Sequence, residues 1–202
     1  MPRSEFESLI RRLETIHQLP PGGRERILSL LRTRSLAKEE FFLRAGQRAT
    51  TVGFMTEGWL RYFHTDAEGR EYIRYFCNGE NFVSSQSALV NDEPSDFSIQ
   101  AIEPSRLVVF DYKDWLTLLE TDPAWGIIHT AILDEALAVA ERRERSLILD
   151  DATKRYLRFL EDYPGIEAHV RQYDIASYLG ISPVSLTHLQ QFDFQLLYAI
   201  VT

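Results

Sequence analysis

Apolar residues recur at helical spacing through two opening stretches, 4–17 (Phe6, Leu9, Ile10, Leu13) and 21–32 (Ile27, Leu28, Leu30, Leu31). Pro20-Pro21-Gly22-Gly23 separates them. From about residue 34 the pattern changes to short runs rich in Phe, Tyr, Val and Ile, each closed by a glycine or a turn cluster. The closing glycines Gly46, Gly58, Gly69 and Gly79 stand 12, 11 and 10 residues apart, a rhythm that predicts an antiparallel roll or sandwich. Asp66-Ala67-Glu68-Gly69 marks a hairpin between strands at 59–65 and 71–76. Further strands are expected at 98–102 and 105–111, with 84–96 as a loop.

The period switches again at Asp122-Pro123, where an aspartate can cap a helix and a proline is tolerated in its first turn. After Pro123 the stretch to 149 runs without a further proline, and Trp125, Ile128, Ile132 and Val139 keep an apolar stripe at near-heptad spacing. About 26 residues of α-helix span roughly 39 Å, long for one small domain, so this helix either crosses the molecule or pairs with a copy of itself. Asp150-Asp151 is a hinge, followed by a helix at 152–162, a break at Tyr163-Pro164-Gly165, and two short helical segments reaching about residue 191. The expected organisation is α+β. An antiparallel β-roll with flanking helices fills 1–121, a long helix 122–150 and a helix-turn-helix 151–202.

The most specific local signal is the stretch 173–189. A helix-turn-helix needs a small residue where its helices cross, a glycine in the turn four positions later, and an apolar residue six further on. Ala176, Gly180 and Leu186 supply these. Ile175, Leu179, Ile181 and Leu189 fill the remaining inward positions, Ser182 caps the second helix and Pro183 opens it. The candidate DNA-contacting residues are therefore Ser182, Pro183, Val184, Ser185, Thr187 and His188.

Composition changes the picture at this point. With 45% apolar and 26% charged residues the chain is an ordinary globular protein, and no apolar run approaches a membrane span. No apolar leader opens it, and the lone Cys77 can form no intrachain disulfide, so a reducing cytoplasmic setting is expected. Cys77 itself reads as a small core residue beside Tyr75 and Phe76. The net charge of −8 sits awkwardly with binding to DNA phosphates. From residue 152 onward four cations (Lys154, Arg155, Arg158, Arg171) face five anions (Glu161, Asp162, Glu167, Asp174, Asp193), a balance of −1. Base reading and phosphate clamping use Arg, Lys, Asn or Gln, and the first four outward positions of the second helix carry none. Duplex DNA is expected as a partner, with affinity weakened by the missing cations.

Taken together, Glu57-Gly58-Trp59-Leu60-Arg61, Gly79-Glu80-Asn81-Phe82, Pro94-Ser95 ahead of 99–103, Ala152–Tyr156 and above all Ile175–Leu186 resemble the Crp/Fnr family of regulators, in particular its Bacteroidetes-type branch. The resemblance spans about residues 5 to 189. It implies a cyclic-nucleotide-binding-like jelly roll, a homodimer formed along the long helix, and a helix-turn-helix that regulates transcription. Family members that bind cyclic nucleotides carry a Gly-Glu pair and, about ten residues on, an arginine that grips the cyclic phosphate. Here those positions hold Ser84-Ser85 and Ser95-Asp96, and no cation lies between Arg74 and Arg106. An effector other than cyclic AMP is therefore expected. Tyr72, Arg74, Phe82, Ser84, Ser85, Gln86 and Ser95 are the candidate pocket residues, with Arg74 as the anion partner if Tyr72, Arg74 and Phe76 face inward. A second departure is the tail, which after about residue 189 lacks the basic continuation usual in relatives.

Other chemistries find less support. Cupin-type metal sites need clustered ligands, whereas His17, His64, His129, His169 and His188 lie on different predicted elements. There is no phosphate loop, nucleophile elbow or zinc spacing, so neither catalytic residues, metal nor cofactor is expected. A sensor and dimerisation module without DNA binding is the alternative. The run 141–145 (Glu-Arg-Arg-Glu-Arg) reads as a solvated helix face. Trp59, Trp115 and Trp125 read as core anchors, with Trp125, Ile128, Ile132 and Val139 as candidates for the interface between protomers.

Overall fold

The structure, a computed structural model, describes residues 4–191. It contains two compact units, Met1–Tyr62 with Phe76–Ala138, and Phe63–Tyr75 with the chain from Val139 onward. The tip of one hairpin thus groups with the C-terminal helices, cutting across the boundaries drawn at 121 and 150.

In the first unit, helices α1 (Ser4–Ile16) and α2 (Gly23–Leu30) precede eight strands: β1 (Arg32–Leu36), β2 (Phe41–Leu43), β3 (Thr51–Glu57), β4 (Trp59–Thr65), β5 (Glu71–Asn78), β6 (Phe82–Val83), β7 (Ser98–Ala101) and β8 (Ser105–Asp111). They form two four-stranded sheets, ordered β1-β8-β3-β6 and β2-β7-β4-β5, and β4 and β5 run on into the second unit. β3 and β8 pair antiparallel from Thr51 opposite Asp111 to Glu57 opposite Arg106, with a register shift near Met55. One face of this sheet packs Val52, Phe54, Val108 and Phe110 against Leu9, Ile10 and Leu13 of α1 and against Trp115, Trp125 and Ile128. Toward the other sheet, Gly53 leaves room for Leu107 and Phe42, which a Cβ would meet at 2.9 and 3.2 Å. Gly58, between β3 and β4, has φ +89° and a hypothetical Cβ only 2.4 Å from Ser105 Oγ and 2.8 Å from the Pro104 carbonyl, so glycine is required there on both counts.

Three expectations need correcting here. The loop at 84–96 contains a short helix, α3 (Gln86–Asn91), ended by Asp92 in the left-handed region at φ 53°. Its six residues are too few for a 3.6-residue period to register. Helix α4 (Tyr112–Leu119) was not foreseen, because its apolar residues continue directly from β8. The second opening helix stops at Leu30, and Leu31 turns extended into β1.

The long helix α5 spans Pro123–Leu149, 27 residues, as the pattern predicted. Asp122 Oδ1 accepts from the Ala124 N–H at 2.9 Å, closing its first turn. In the second unit α6 (Ala152–Asp162) is capped by Asp151, whose carboxylate accepts from the Lys154 N–H. A 3-10 turn (Ile166–Ala168), α7 (Gln172–Leu179) and a helix α8 beginning at residue 183 follow. Phe159, Tyr163 and Tyr178 form an aromatic triangle with centroids 5.2 to 5.7 Å apart. The departure expected in the tail falls almost entirely on 192–202, outside the described residues.

Candidate functional site

The α7–α8 pair is built as its spacing required. Ala176 is 1% exposed and Leu186 fully buried. Gly180 sits left-handed at φ 67°, where its N–H caps α7. Ser182 Oγ accepts from the Ser185 N–H at 3.1 Å, the N-cap bond of α8. Ser182, Pro183, Val184, Ser185, Thr187 and His188 are all exposed, and Ile181 and Leu189 are half-buried.

The cations around this motif are largely occupied. Arg155 donates Nε–H to the Leu179 carbonyl at 2.9 Å and Nη1–H to that of Asp150 at 2.6 Å. Arg143 lies over the Tyr178 ring, 3.7 Å from its centroid, and donates to the Tyr178 carbonyl. These two guanidiniums serve the carbonyls at the C-terminal end of α7, where the helix dipole favours positive charge. Arg171 grips the nearly buried Asp174 through two hydrogen bonds, at 2.9 and 3.1 Å, and Arg158 lies 3.4 Å from Asp150.

The expected pocket residues do not gather at one site. Tyr72 and Arg74 are exposed on the hairpin, so the shared face with Phe76 does not point inward as anticipated. Phe76 is buried with its neighbour Cys77, so the strand loses its simple alternation there. Tyr72 Oη instead donates to Asp66 Oδ2 at 3.1 Å. Ser85 and Ser95 are buried and bonded to each other at 3.1 Å, and Ser95 Oγ also donates to the Phe97 carbonyl at 2.8 Å. These two serines thus close a neutral hydroxyl pair. Phe82, Ser84 and Gln86 line a recess of about 40 Å³ with Trp115, His129 and Ile132. Among the described residues, Gln86 Nε2 is buried there without a hydrogen-bond partner. Trp115 Nε1–H donates to His129 Nδ1 at 3.1 Å, and desolvation holds the His129 pKa below its ordinary value.

Other sequence-named residues are placed as follows. Trp125 and Ile128, candidates for an interface, are fully buried in the core of their own unit, with Ile132 packed against it. Val139 is 49% exposed, and Leu137 and Ile148 reach 58% and 70%. Cys77 is buried, and desolvation pushes its thiol up to about 12. Two features escaped sequence reasoning. One is the buried Arg61, whose Nε and Nη2 both donate to Gln100 Oε1 at 3.0 and 2.6 Å. The other is the His129–Trp115 bond, which joins α4 to α5; the sequence showed only that His129 shares the helix face of the buried Trp125, four residues before it. Among the described residues no group of His, Cys, Asp and Glu could hold a metal ion, and no helix is long and apolar enough to cross a membrane.

The described residues thus build a small roll sheathed by helices, a long helix and a helix-turn-helix. Residues 33–122 match the family described as the cyclic nucleotide-binding domain. FixK2 from Bradyrhizobium japonicum superposes with a TM-score of 0.72 at 18% identity, over 82% of this chain and 86% of its own. The regulator CLP from Xanthomonas campestris gives 0.68 at 19%, over 88% and 92%. A protein from Eubacterium rectale assigned to the Crp/Fnr family gives 0.68 at 17%, over 88% and 84%. No curated protein matches the sequence. The fold is that of the Crp/Fnr regulators, as the resemblance implied.

Proposed function

We propose that this protein is a homodimeric DNA-binding transcriptional regulator, not an enzyme, which senses an effector other than cyclic AMP through its roll. The observation that carries the DNA-binding part is the completed helix-turn-helix, with every outward position at the start of α8 exposed. In a dimer two such helices would read half-sites about one turn of DNA apart, roughly 34 Å. The functional division would follow the roll, the long helix and the C-terminal helices. Electrophoretic mobility of the full chain on duplex DNA over a series of salt concentrations tests this. Because Arg155, Arg158 and Arg171 already serve protein partners, binding should be weak and its salt slope shallow, each phosphate contact adding about 0.9 to the slope. No retardation at low salt would favour the second reading, a sensor and dimerisation module that does not engage DNA. The same occupied cations support that reading.

For the effector, the Ser85–Ser95 pair offers hydroxyls where a cyclic phosphate needs a cation, and Asp96 beside it would repel one. The unpartnered Gln86 amide instead favours a small neutral molecule with an acceptor, at the recess under α5. CLP is described as responsive to c-di-GMP. Calorimetric titration with cyclic AMP and with c-di-GMP should give no heat of binding, and saturable binding of either would overturn the assignment.

A further inference from the structure

We propose that Ser177 is a clip that fastens the free edge of β5 to the first helix of the helix-turn-helix, so that hairpin and DNA-binding motif move as one piece. β5 lies at the edge of its sheet, so one side of its backbone has no strand partner. Ser177 Oγ takes the place of one: it accepts from the Ile73 N–H at 2.9 Å and donates to the Glu71 carbonyl at 3.3 Å. A single hydroxyl can do both, having one donor and two acceptor lone pairs. An ion pair reinforces it, Arg171 reaching Glu71 at 3.7 Å while holding Asp174. Beside the clip an open cleft of about 390 Å³ lies between Tyr72 on one side and Tyr173 and the turn at Gly180–Pro183 on the other. Ser182 and the five outward residues of α8 remain exposed with the clip closed, which makes it a positioning contact that leaves the readout face open.

β4 and β5 begin in the roll and end at this hairpin, so a shift of these strands is passed to α7 at the Ser177 clip and the Arg171–Glu71 pair beside it. A contact worth about one hydrogen bond is weak enough to be switched and directional enough to set an orientation. The inference rests on α7 and α8 forming a helix-turn-helix, and does not require that the motif bind DNA.

Two measurements on the full chain test it. In amide hydrogen exchange, Ile73 should be protected in the wild type and exchange about five- to tenfold faster in Ser177→Ala, while Val108 in the roll is unchanged. Equal Ile73 rates in both proteins would overturn the clip. Spin labels at Ala67→Cys and Val184→Cys, both exposed positions, should give a narrow distance distribution that broadens in Ser177→Ala and in Glu71→Gln. Distributions of the same width would mean that hairpin and motif are held by something else. Neither readout involves DNA, so failure of DNA binding and failure of the clip are separable.

Discussion

At the scale of single residues, conformational and solvation demands are sharp enough to be tested one side chain at a time. Gly58 combines a positive φ with a Cβ position blocked by Ser105 and a backbone carbonyl. Gly58→Ala should cost about 2–4 kcal/mol, read as a lowered denaturation midpoint with unchanged slope. Cys77 is shut away from solvent with its thiolate disfavoured, so thiol reagents should leave the folded protein unlabelled and label it only on unfolding. His129 titrates below its ordinary value because charging it is opposed by desolvation, and its Nδ1 must stay unprotonated to accept from Trp115. The unfolded chain takes up that proton as pH falls through about 6.5, and the folded chain does so only at lower pH. Its contribution is therefore complete above the unfolded value and lost as pH falls toward the folded one. Stability measured between pH 8 and pH 5 should drop in the wild type, and the drop should be smaller in His129→Phe.

Elements depend on how their ends are closed. The hairpin turn is organised by Asp66, whose Oδ1 accepts from the N–H groups of Glu68 and Arg70 at 3.0 and 2.8 Å. Desolvation is the largest single influence and raises its pKa, but the hydrogen bonds from Arg70 and Tyr72 together with the Arg70 charge outweigh it and hold the group below the usual carboxylate value. The bonds to its charged form are thus lost as pH falls through the folded value, and exchange at the Arg70 amide should speed up there. At the end of α7, Arg143 and Arg155 close carbonyls that a helix terminus leaves open. Arg155→Met keeps the apolar stem and removes both bonds, and should destabilise the C-terminal unit by about 1–3 kcal/mol, measurable as earlier melting of that unit. If the guanidinium served DNA instead, stability would be unchanged and only affinity would fall.

For the whole molecule, the question is which part of the long helix can meet a partner copy. Its first two turns are spent on the core of the roll unit, where Trp115 and Trp125 pack edge to face at 5.7 Å. Leu137 and Ile148 are exposed and eleven residues apart, close to three helical turns, so they share a face. A homodimer along α5 would bury this face. If α5 forms the proposed dimer, Leu137→Glu with Ile148→Glu should give a folded monomer by sedimentation, whereas Thr130→Glu, at an exposed position beside the roll unit, should not; a wild type that sediments as a monomer would overturn the dimer.

The legible part of this protein was whatever depends on local period and local chemistry. The bounds of α5, the turn at Asp66–Gly69, the cap at Asp122 and the crossing of α7 with α8 at Ala176 all follow from neighbours within a few residues, because helix and hairpin bonds are made at that range. Short α3 was hidden because six residues give no readable repeat, and α4 because its apolar residues run on directly from β8. Tertiary packing alone decided which side of a strand or helix is interior. It turned Tyr72 and Arg74 outward, buried Trp125 and Ile128 in their own unit, joined Ser85 to Ser95 across ten residues, and brought Ser177 to β5 across more than a hundred. Those outcomes depend on burial and hydrogen bonding between segments far apart in the chain, which no local pattern encodes.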